Sequence, residues 1–123
     1  MRFREGIIGL SAVILAGSPA NAAGDVNKGK SAYVRCAACH AVSAGKNGIG
    51  PSLAGIVGRK AGSVSGFTYS QAMKKAAVEW DVKTLDSFLA APSKQIPANR
   101  MPFAGISDPK MRQDLITYLA TLK

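Results

Sequence analysis

Apolar residues recur at helical spacing in two stretches of the C-terminal half of the chain. Asp108 followed by Pro109 is typical of a helix N-cap and first helical residue. The residues after them form an apolar stripe of Met111, Leu115, Tyr118, Leu119 and Leu122. A second helix is predicted over residues 81–91, with Leu85, Phe88 and Leu89 on one face and Pro92 ending it.

A third helix is predicted near the N-terminal end, where Asp25 is a good N-cap. Its apolar face consists of Val26, Gly29, Tyr33 and Cys36, and the helix is expected to run towards Cys39. A glycine inside a helix costs up to about 1 kcal/mol relative to alanine. Gly29 therefore indicates that another element packs closely against this face.

The segments between these helices read as loops. Residues 43–66 and 92–107 are rich in Gly, Pro, Ser and Asn, and only a short helical turn is predicted over residues 70–77. No alternation of apolar and polar residues is long enough to predict a strand. The pattern predicts an all-α fold in which about half of the backbone is irregular, so something other than side chains should fill the centre.

The first residues have the pattern of a secretory signal peptide. Arg2 and Arg4 precede an apolar run over residues 6–17, and Ala20-Asn21-Ala22 offers a small-x-small cleavage site. The alternative is an uncleaved anchor, but about 12 apolar residues are too few for the ~20 that span a bilayer. We therefore predict a cleaved signal peptide over residues 1–22, a single mature domain over residues 23–123 and a periplasmic location.

Composition supports a small globular domain with a basic surface. The chain has 123 residues, is 47% hydrophobic and only 19% charged, and carries a net charge of +9. These values argue against a disordered basic tail and against a large multidomain enzyme. Removal of residues 1–22 takes away two basic and one acidic residue, which leaves +8 on the mature domain. The charge favours an anionic partner, whether protein, nucleic acid or membrane.

The segment Cys36-Ala37-Ala38-Cys39-His40 has the C-x-x-C-H pattern of covalent haem attachment. Two cysteines three residues apart on one helical turn point in the same direction, so both sulfurs can add to the vinyl groups at one edge of a porphyrin. The histidine that follows can then place an imidazole nitrogen on the iron. The pattern predicts one haem c attached through Cys36 and Cys39, with His40 as an iron ligand.

Three alternative roles for the two cysteines fit the sequence less well. A thioredoxin-like dithiol needs a βαβ context that the sequence lacks. A zinc site needs a fourth ligand, and His40 is the only histidine. A structural disulfide is compatible with export but leaves the adjacent histidine without a role.

A second axial ligand must come from another residue type, because a chain with one histidine cannot form a bis-histidine site. The mature domain offers Met73, Met101 and Met111. Met111 belongs to the stripe of the last helix, and Met73 lies in the short helical turn, so core packing is favoured for both. Met101 lies in a loop rich in proline and glycine and is the preferred candidate, with Met73 as an alternative.

The sequence as a whole resembles the class I c-type cytochromes, the family of mitochondrial cytochrome c and its periplasmic bacterial relatives. The resemblance covers essentially the whole mature domain. Its motifs, in family order after the haem-attachment motif, are Gly50-Pro51-Ser52-Leu53, Gly58-Arg59-Lys60, Gly66-Phe67-Thr68-Tyr69-Ser70, Trp80, Ile96-Pro97 and Met101-Pro102-Phe103-Ala104-Gly105-Ile106.

The resemblance implies three main helices, short helical turns and long loops wrapped around one haem. It implies that the first and last helices cross where Gly29 meets Leu115 and Tyr118. It also implies that the Pro51 carbonyl orients the ring of His40. Three side chains are expected to donate hydrogen bonds to the haem propionates, namely Arg59, Tyr69 and Trp80. For the two aromatic residues the alternative is plain core packing.

The chemistry implied is the transfer of single electrons. With His40 and Met101 both on the iron no coordination site is open, so the protein is expected to be an electron carrier and not an enzyme. It would carry electrons from a quinol-oxidising complex to a terminal acceptor, an oxidase or a photosynthetic reaction centre. Four basic residues are candidates for steering acidic docking faces to the haem edge, namely Arg35, Lys46, Lys94 and Arg100. A monomer is expected, without stable membrane insertion.

Two further functional classes would make different demands on the chain. A small peroxidase or gas sensor would need an open sixth position on the iron. A nucleic-acid-binding module would need stacking aromatic residues interleaved with basic ones, and export argues against it.

Three positions depart from the family pattern. Phe88 stands where many members have a tyrosine, Asn99 where threonine is usual, and Met73 where asparagine is common. Loss of the tyrosine hydroxyl near the methionine sulfur should make the sulfur a stronger donor and lower the reduction potential. Because of the other two changes, the family's internal hydrogen-bond network is not carried over unchanged to this chain, and Met73 adds a thioether near the haem.

Overall fold

The computed structural model of the protein describes Gly9 and residues 24–123. The signal peptide predicted over residues 1–22 lies outside the described residues, apart from Gly9. None of the helices in the described part is long and apolar enough to cross a membrane.

Within residues 24–123 there are five short α-helices, most of them separated by long loops. They are α1 (Val26–Ala32), α2 (Gln71–Lys75), α3 (Val82–Ala90), α4 (Pro92–Gln95) and α5 (Pro109–Leu119), and a 3-10 helix (Tyr33–Arg35) follows α1 directly. Among the described residues the only β-type pairing is an isolated bridge between Lys60 and Glu79. The all-α fold predicted from the sequence is confirmed.

Aspartate N-caps begin the three main helices, and two of them, Asp25 and Asp108, were predicted from the sequence. The Asp25 side chain accepts from the Lys28 amide, and that of Asp108 accepts from the Lys110 amide. Asp81 forms a full capping box with Thr84, in which each side chain accepts from the other's backbone N–H. These bonds satisfy amides that have no partner within the helix, so the local sequence fixes where each helix starts.

One helix boundary differs from the prediction, and one short helix was not predicted. Helix α1 ends at Ala32 and does not reach Cys39, because the chain tightens into the 3-10 helix and then turns. The Tyr33 hydroxyl donates to the His40 carbonyl and closes this turn. Pro92 does end α3, but it also serves as the first residue of the unpredicted α4, where its missing N–H costs nothing.

Helix α1 packs against α5 at the glycine that the sequence singled out. A β-carbon at position 29 would overlap the carbonyl oxygen of Asp114 and lie 2.7 Å from the β-carbon of Tyr118. The predicted meeting of Gly29 with Tyr118 is therefore confirmed, while the nearest backbone group is that of Asp114 and not of Leu115. Only glycine allows the two helices to come this close.

The core is built mainly on α3 and α5, and it surrounds a central space. The buried apolar residues of these two helices are Leu85, Phe88, Leu89, Leu115, Ile116 and Leu119. Trp80, Ile96 and Ile106 add to it from the loops. Several of these side chains also line an internal cavity.

A buried carboxylate ties the start of α1 to the middle of α5. Asp114 is 4% exposed, accepts a 2.8 Å hydrogen bond from the Asp25 amide and forms an ion pair with Lys110. The Asp25 amide, followed by the Lys110 ammonium group, lowers the pKa of the Asp114 carboxyl. The charged form is therefore the one that holds the two helices together.

This pairing predicts a loss of stability in acid. Because the pKa of Asp114 is lower in the folded than in the unfolded chain, its contribution is present above the unfolded value of about 4 and is lost as the pH falls through the folded value. We expect Asp114→Asn to unfold at a Tm several degrees lower at pH 7, and the difference from the wild-type holoprotein to shrink as the pH falls towards 3. Thermal unfolding of the holoproteins across this range measures it.

Asp108→Asn is the matched control, because asparagine caps a helix as well as aspartate does. It should follow the wild-type curve at each pH. A difference between Asp114→Asn and wild type that stays constant from pH 7 to pH 3 would contradict the assignment.

Candidate functional site

A cavity of about 630 Å³ lies between α3, α5 and the long loops. All eight site residues predicted from the sequence line it, although they come from six separate motifs. They are Cys36, Cys39, His40, Pro51, Arg59, Tyr69, Trp80 and Met101. The volume is within the usual range of cofactor sites, about 300–1,000 Å³.

The two cysteines face the cavity from the turn that follows the 3-10 helix. The amides of Cys39 and His40 both donate to the Cys36 carbonyl, at 3.1 and 3.0 Å, so a hydrogen-bonded turn replaces the predicted helical turn. Both thiols are free and half-buried. Burial raises the pKa of the Cys36 thiol, against a smaller opposite effect of Arg35. The turn still places both sulfurs against one space, as the attachment chemistry requires.

The imidazole of His40 is held in a fixed orientation. Its Nδ1 lies 2.7 Å from the Pro51 carbonyl oxygen, which accepts only if Nδ1 carries the proton. The free lone pair is then on Nε2. Burial lowers the pKa of His40, which favours the neutral ring that a metal needs.

Gly50 leaves room for that ring. A β-carbon at position 50 would lie 2.7 Å from Nδ1 of His40 and press on the face of the imidazole. A side chain here would displace the histidine, so Gly50 belongs to the site. The sequence contained it in the Gly-Pro-Ser-Leu motif, but no spacing argument gave it a role.

Three side chains that can donate hydrogen bonds line the cavity, namely Arg59, Tyr69 and Trp80. Arg59 uses one N–H to bond the Ala54 carbonyl at 3.1 Å, and burial lowers the pKa of its guanidinium. The Tyr69 hydroxyl accepts from the Val64 amide at 3.0 Å, which leaves its own proton free. The indole of Trp80 is 6% exposed and packs on Phe88 with ring centres 5.0 Å apart. No Asp or Glu lines the cavity among the described residues.

The methionines occupy different places. Met101 and Met73 are half-buried and line the cavity, Met101 from the loop that follows α4 and Met73 from α2. Met111 does not line it and lies on α5, where its sulfur is 2.8 Å from a guanidinium nitrogen of Arg35. The structure thus brings two of the three candidate sulfurs to the site.

Asn99, which the sequence marked only as a departure from the family, supports the Met101 loop. Its side-chain oxygen accepts from the Met101 amide at 2.8 Å. Its side-chain nitrogen donates to the carbonyls of Pro92 and Ile96, at 3.0 and 2.8 Å. Asn99 therefore makes hydrogen bonds of its own to the backbone on both sides of it.

The predicted basic residues divide into two pairs. Arg35 and Arg100 line the cavity, whereas Lys46 and Lys94 do not. All four are exposed, and Lys46 directly precedes Asn47, which lines the cavity.

The donor set of the cavity fits a haem. Haem c needs two thiols at one edge, nitrogen or sulfur ligands for iron and donors for its two carboxylates. The cavity supplies each of these, and its remaining lining is mainly apolar. Within residues 24–123 no group of three or more His, Cys, Asp and Glu side chains could hold a metal ion by itself. The donor types and the apolar lining therefore fit a porphyrin.

Comparison with known proteins agrees with this geometry. The family model described as cytochrome c matches residues 26–123. The chain is 52% identical over 91 residues to cytochrome c2 iso-2 of Magnetospirillum molischianum, covering 74% of this chain and 94% of that protein. It is 48% identical over 98 residues to cytochrome c of Arabidopsis thaliana, covering 78% and 88%.

A solved structure is similar over nearly its full length. Cytochrome cH from Methylobacterium extorquens superposes with a TM-score of 0.76 at 46% identity, covering 80% of this chain and 99% of that one. The chain thus belongs to the cytochrome c family, whose members are electron carriers and not enzymes, with haem c held covalently, here through Cys36 and Cys39.

Proposed function

We propose that this protein is a periplasmic, monomeric one-electron carrier with iron ligated by His40 and Met101. It would take electrons from a quinol-oxidising complex and pass them to a terminal acceptor, an oxidase or a photosynthetic reaction centre. The observation that carries the proposal is the pairing of an oriented imidazole and a methionine sulfur at one largely apolar cavity.

Bound haem supplies an iron that changes between the ferrous and ferric states by one electron. The chain's residues determine how that change is used. The hydrogen bond from His40 to Pro51 keeps Nε2 free for the metal, and Met101 would supply a sulfur ligand. With both ligands in place no position is left for a substrate, which favours electron transfer over catalysis at iron.

Arg59, Tyr69 and Trp80 are proposed to hold the propionates. A carboxylate inside a protein is costly unless donors meet it, and each of these residues has an unused N–H or O–H at the cavity. Met101 and the apolar lining both disfavour the extra positive charge of ferric iron. The reduction potential is therefore expected to be well above zero.

Docking is proposed to depend on Arg35, Lys46, Lys94 and Arg100. All four side chains are exposed, and two of them line the cavity. A field of several positive charges at the cavity would steer an acidic partner face to it and give fast, weak and salt-sensitive association. A partner of this kind suits a carrier that must leave after each electron.

The iron ligands can be tested by spectroscopy of the holoprotein. We expect the ferric wild-type protein to show the weak absorption band near the red edge of the visible that indicates methionine on iron, and Met101→Ala to lose it. Met73→Leu, the matched control for the other sulfur at the cavity, should keep the band. Loss of the band in Met73→Leu, with retention in Met101→Ala, would reassign the ligand. A wild-type protein without the band at neutral pH would point to a peroxidase or sensor with an open site.

The reduction potential can be tested at Phe88, where many members of the family have a tyrosine. Phe88 is buried and lines the same cavity as Met101. Phe88→Tyr should raise the midpoint potential, because a hydroxyl donating to the sulfur stabilises the ferrous state. One hydrogen bond is worth about 1 kcal/mol, or roughly 40 mV in a one-electron couple.

Phe67→Tyr adds the same hydroxyl at a loop residue of the cavity, whereas Phe88 lies on α3. Its midpoint potential should stay within about 10 mV of the wild-type value, a change well below the effect of one hydrogen bond. A redox titration with spectra compares the three proteins. An unchanged or lowered midpoint in Phe88→Tyr would contradict the proposed effect.

The docking charges can be tested with ferricyanide, a small anionic oxidant. Lys46→Glu and Lys94→Glu should each slow oxidation of the ferrous holoprotein by about twofold or more at low salt, because they reverse a charge in the steering field. Lys83→Glu changes the net charge equally on α3 and should have a smaller effect. The differences should vanish near 1 M salt, where the screening length is about 3 Å. Equal slowing by all three variants would show that only net charge matters.

A further inference from the structure

Backbone hydrogen bonds tie the loop that carries Met101 to α4 and α3 at its two ends. At one end the Ile96 amide donates to the Pro92 carbonyl at 3.0 Å, and at the other the Ile106 amide donates to the Leu89 carbonyl at 2.8 Å. Between these points, residues 97–105 form no helix or strand. The position of Met101 therefore depends on contacts made inside this span.

Asn99 supplies the side-chain hydrogen bonds of this span among the described residues. Its amide nitrogen donates to two carbonyls of the preceding segment, those of Pro92 and Ile96. Its oxygen accepts from the backbone N–H of Met101. A single side chain thus joins the backbone of Met101 to the end of α4.

Ala98, the residue before this side chain, has a strained backbone. Its φ angle is +66°, and it is the one described non-glycine residue with positive φ. The left-handed region brings a β-carbon close to the neighbouring carbonyl oxygen, which alanine tolerates poorly and glycine accepts. The closed loop therefore needs interactions that offset this strain.

We propose that Asn99 is a positioning residue that holds Met101 on the iron against the strain at Ala98. The inference rests on the proposed ligation by Met101. When the three hydrogen bonds of Asn99 are removed, the loop should open more often and the sulfur should leave the iron more readily. The backbone strain at Ala98 favours opening of the loop, and the Asn99 hydrogen bonds oppose it.

Imidazole added to the ferric holoprotein measures this opening, because it binds iron only where Met101 has left. Each hydrogen bond lost changes an equilibrium by roughly two- to tenfold. We expect Asn99→Ala to bind imidazole about tenfold more tightly than wild type or better. Ala98→Gly, which removes the strain, should bind it several-fold more weakly than wild type. The double variant should lie between the two single variants.

Thr84→Ala is the matched control for a general loss of stability. It removes the Thr84 hydroxyl, which accepts from the Asp81 amide and donates to the Glu79 carbonyl at the start of α3, and Thr84 does not line the cavity. Its global unfolding should shift while its imidazole affinity stays within twofold of wild type. Such a result separates positioning of Met101 from a merely structural role.

These measurements distinguish an error in the positioning role of Asn99 from an error in the proposed ligation by Met101. If the ferric wild-type protein lacks the methionine band, the ligand assignment itself is wrong. If wild type has the band but Asn99→Ala binds imidazole as wild type does, or Thr84→Ala binds it as tightly as Asn99→Ala, the positioning role is overturned. Tighter binding by Ala98→Gly than by wild type would overturn the part played by strain.

Discussion

Apolar side chains from α3, α5 and the loops surround a space that they do not fill. A domain of about 100 residues has little core to spare, so its side chains alone do not supply all the contacts that a packed centre needs. The 630 Å³ cavity is therefore the constraint on which the structure depends. Covalent haem provides the missing core, and attachment through Cys36 and Cys39 keeps it from dissociating.

The frame around that space is held by a few close contacts and not by long helices. The contact of Gly29 with the backbone of α5 sets the crossing of the first and last helices, and Asp114 fixes it through the Asp25 amide. This crossing sets where the attachment turn begins. The His40 hydrogen bond to Pro51 then fixes the proposed iron ligand relative to a second loop. Local precision at these points compensates for the large share of irregular backbone.

Much of this could be predicted from the sequence, because the features concerned are local. The aspartate caps, the apolar stripe of α5 and the C-x-x-C-H motif all depend on neighbours within a few residues. The end of α1 could not be predicted, because the turn that follows it is closed by a hydrogen bond from the Tyr33 hydroxyl to the His40 carbonyl. The supporting role of Asn99 was also missed, because its partners are backbone groups that no side-chain pattern reveals.

The sequence by itself determined the chemistry: two cysteines, one histidine and a methionine loop specify a covalent haem because few other groups could serve. Only the tertiary structure decided how those groups are held, which side chains keep free donors, and which sulfurs reach the cavity. The physical reason is that ligand identity depends on residue type, whereas orientation depends on contacts between segments distant in the chain. Met101, Met73 and Met111 are the same residue type. Only the folded structure shows that the first two line the cavity, whereas Met111 lies on α5 with its sulfur beside Arg35.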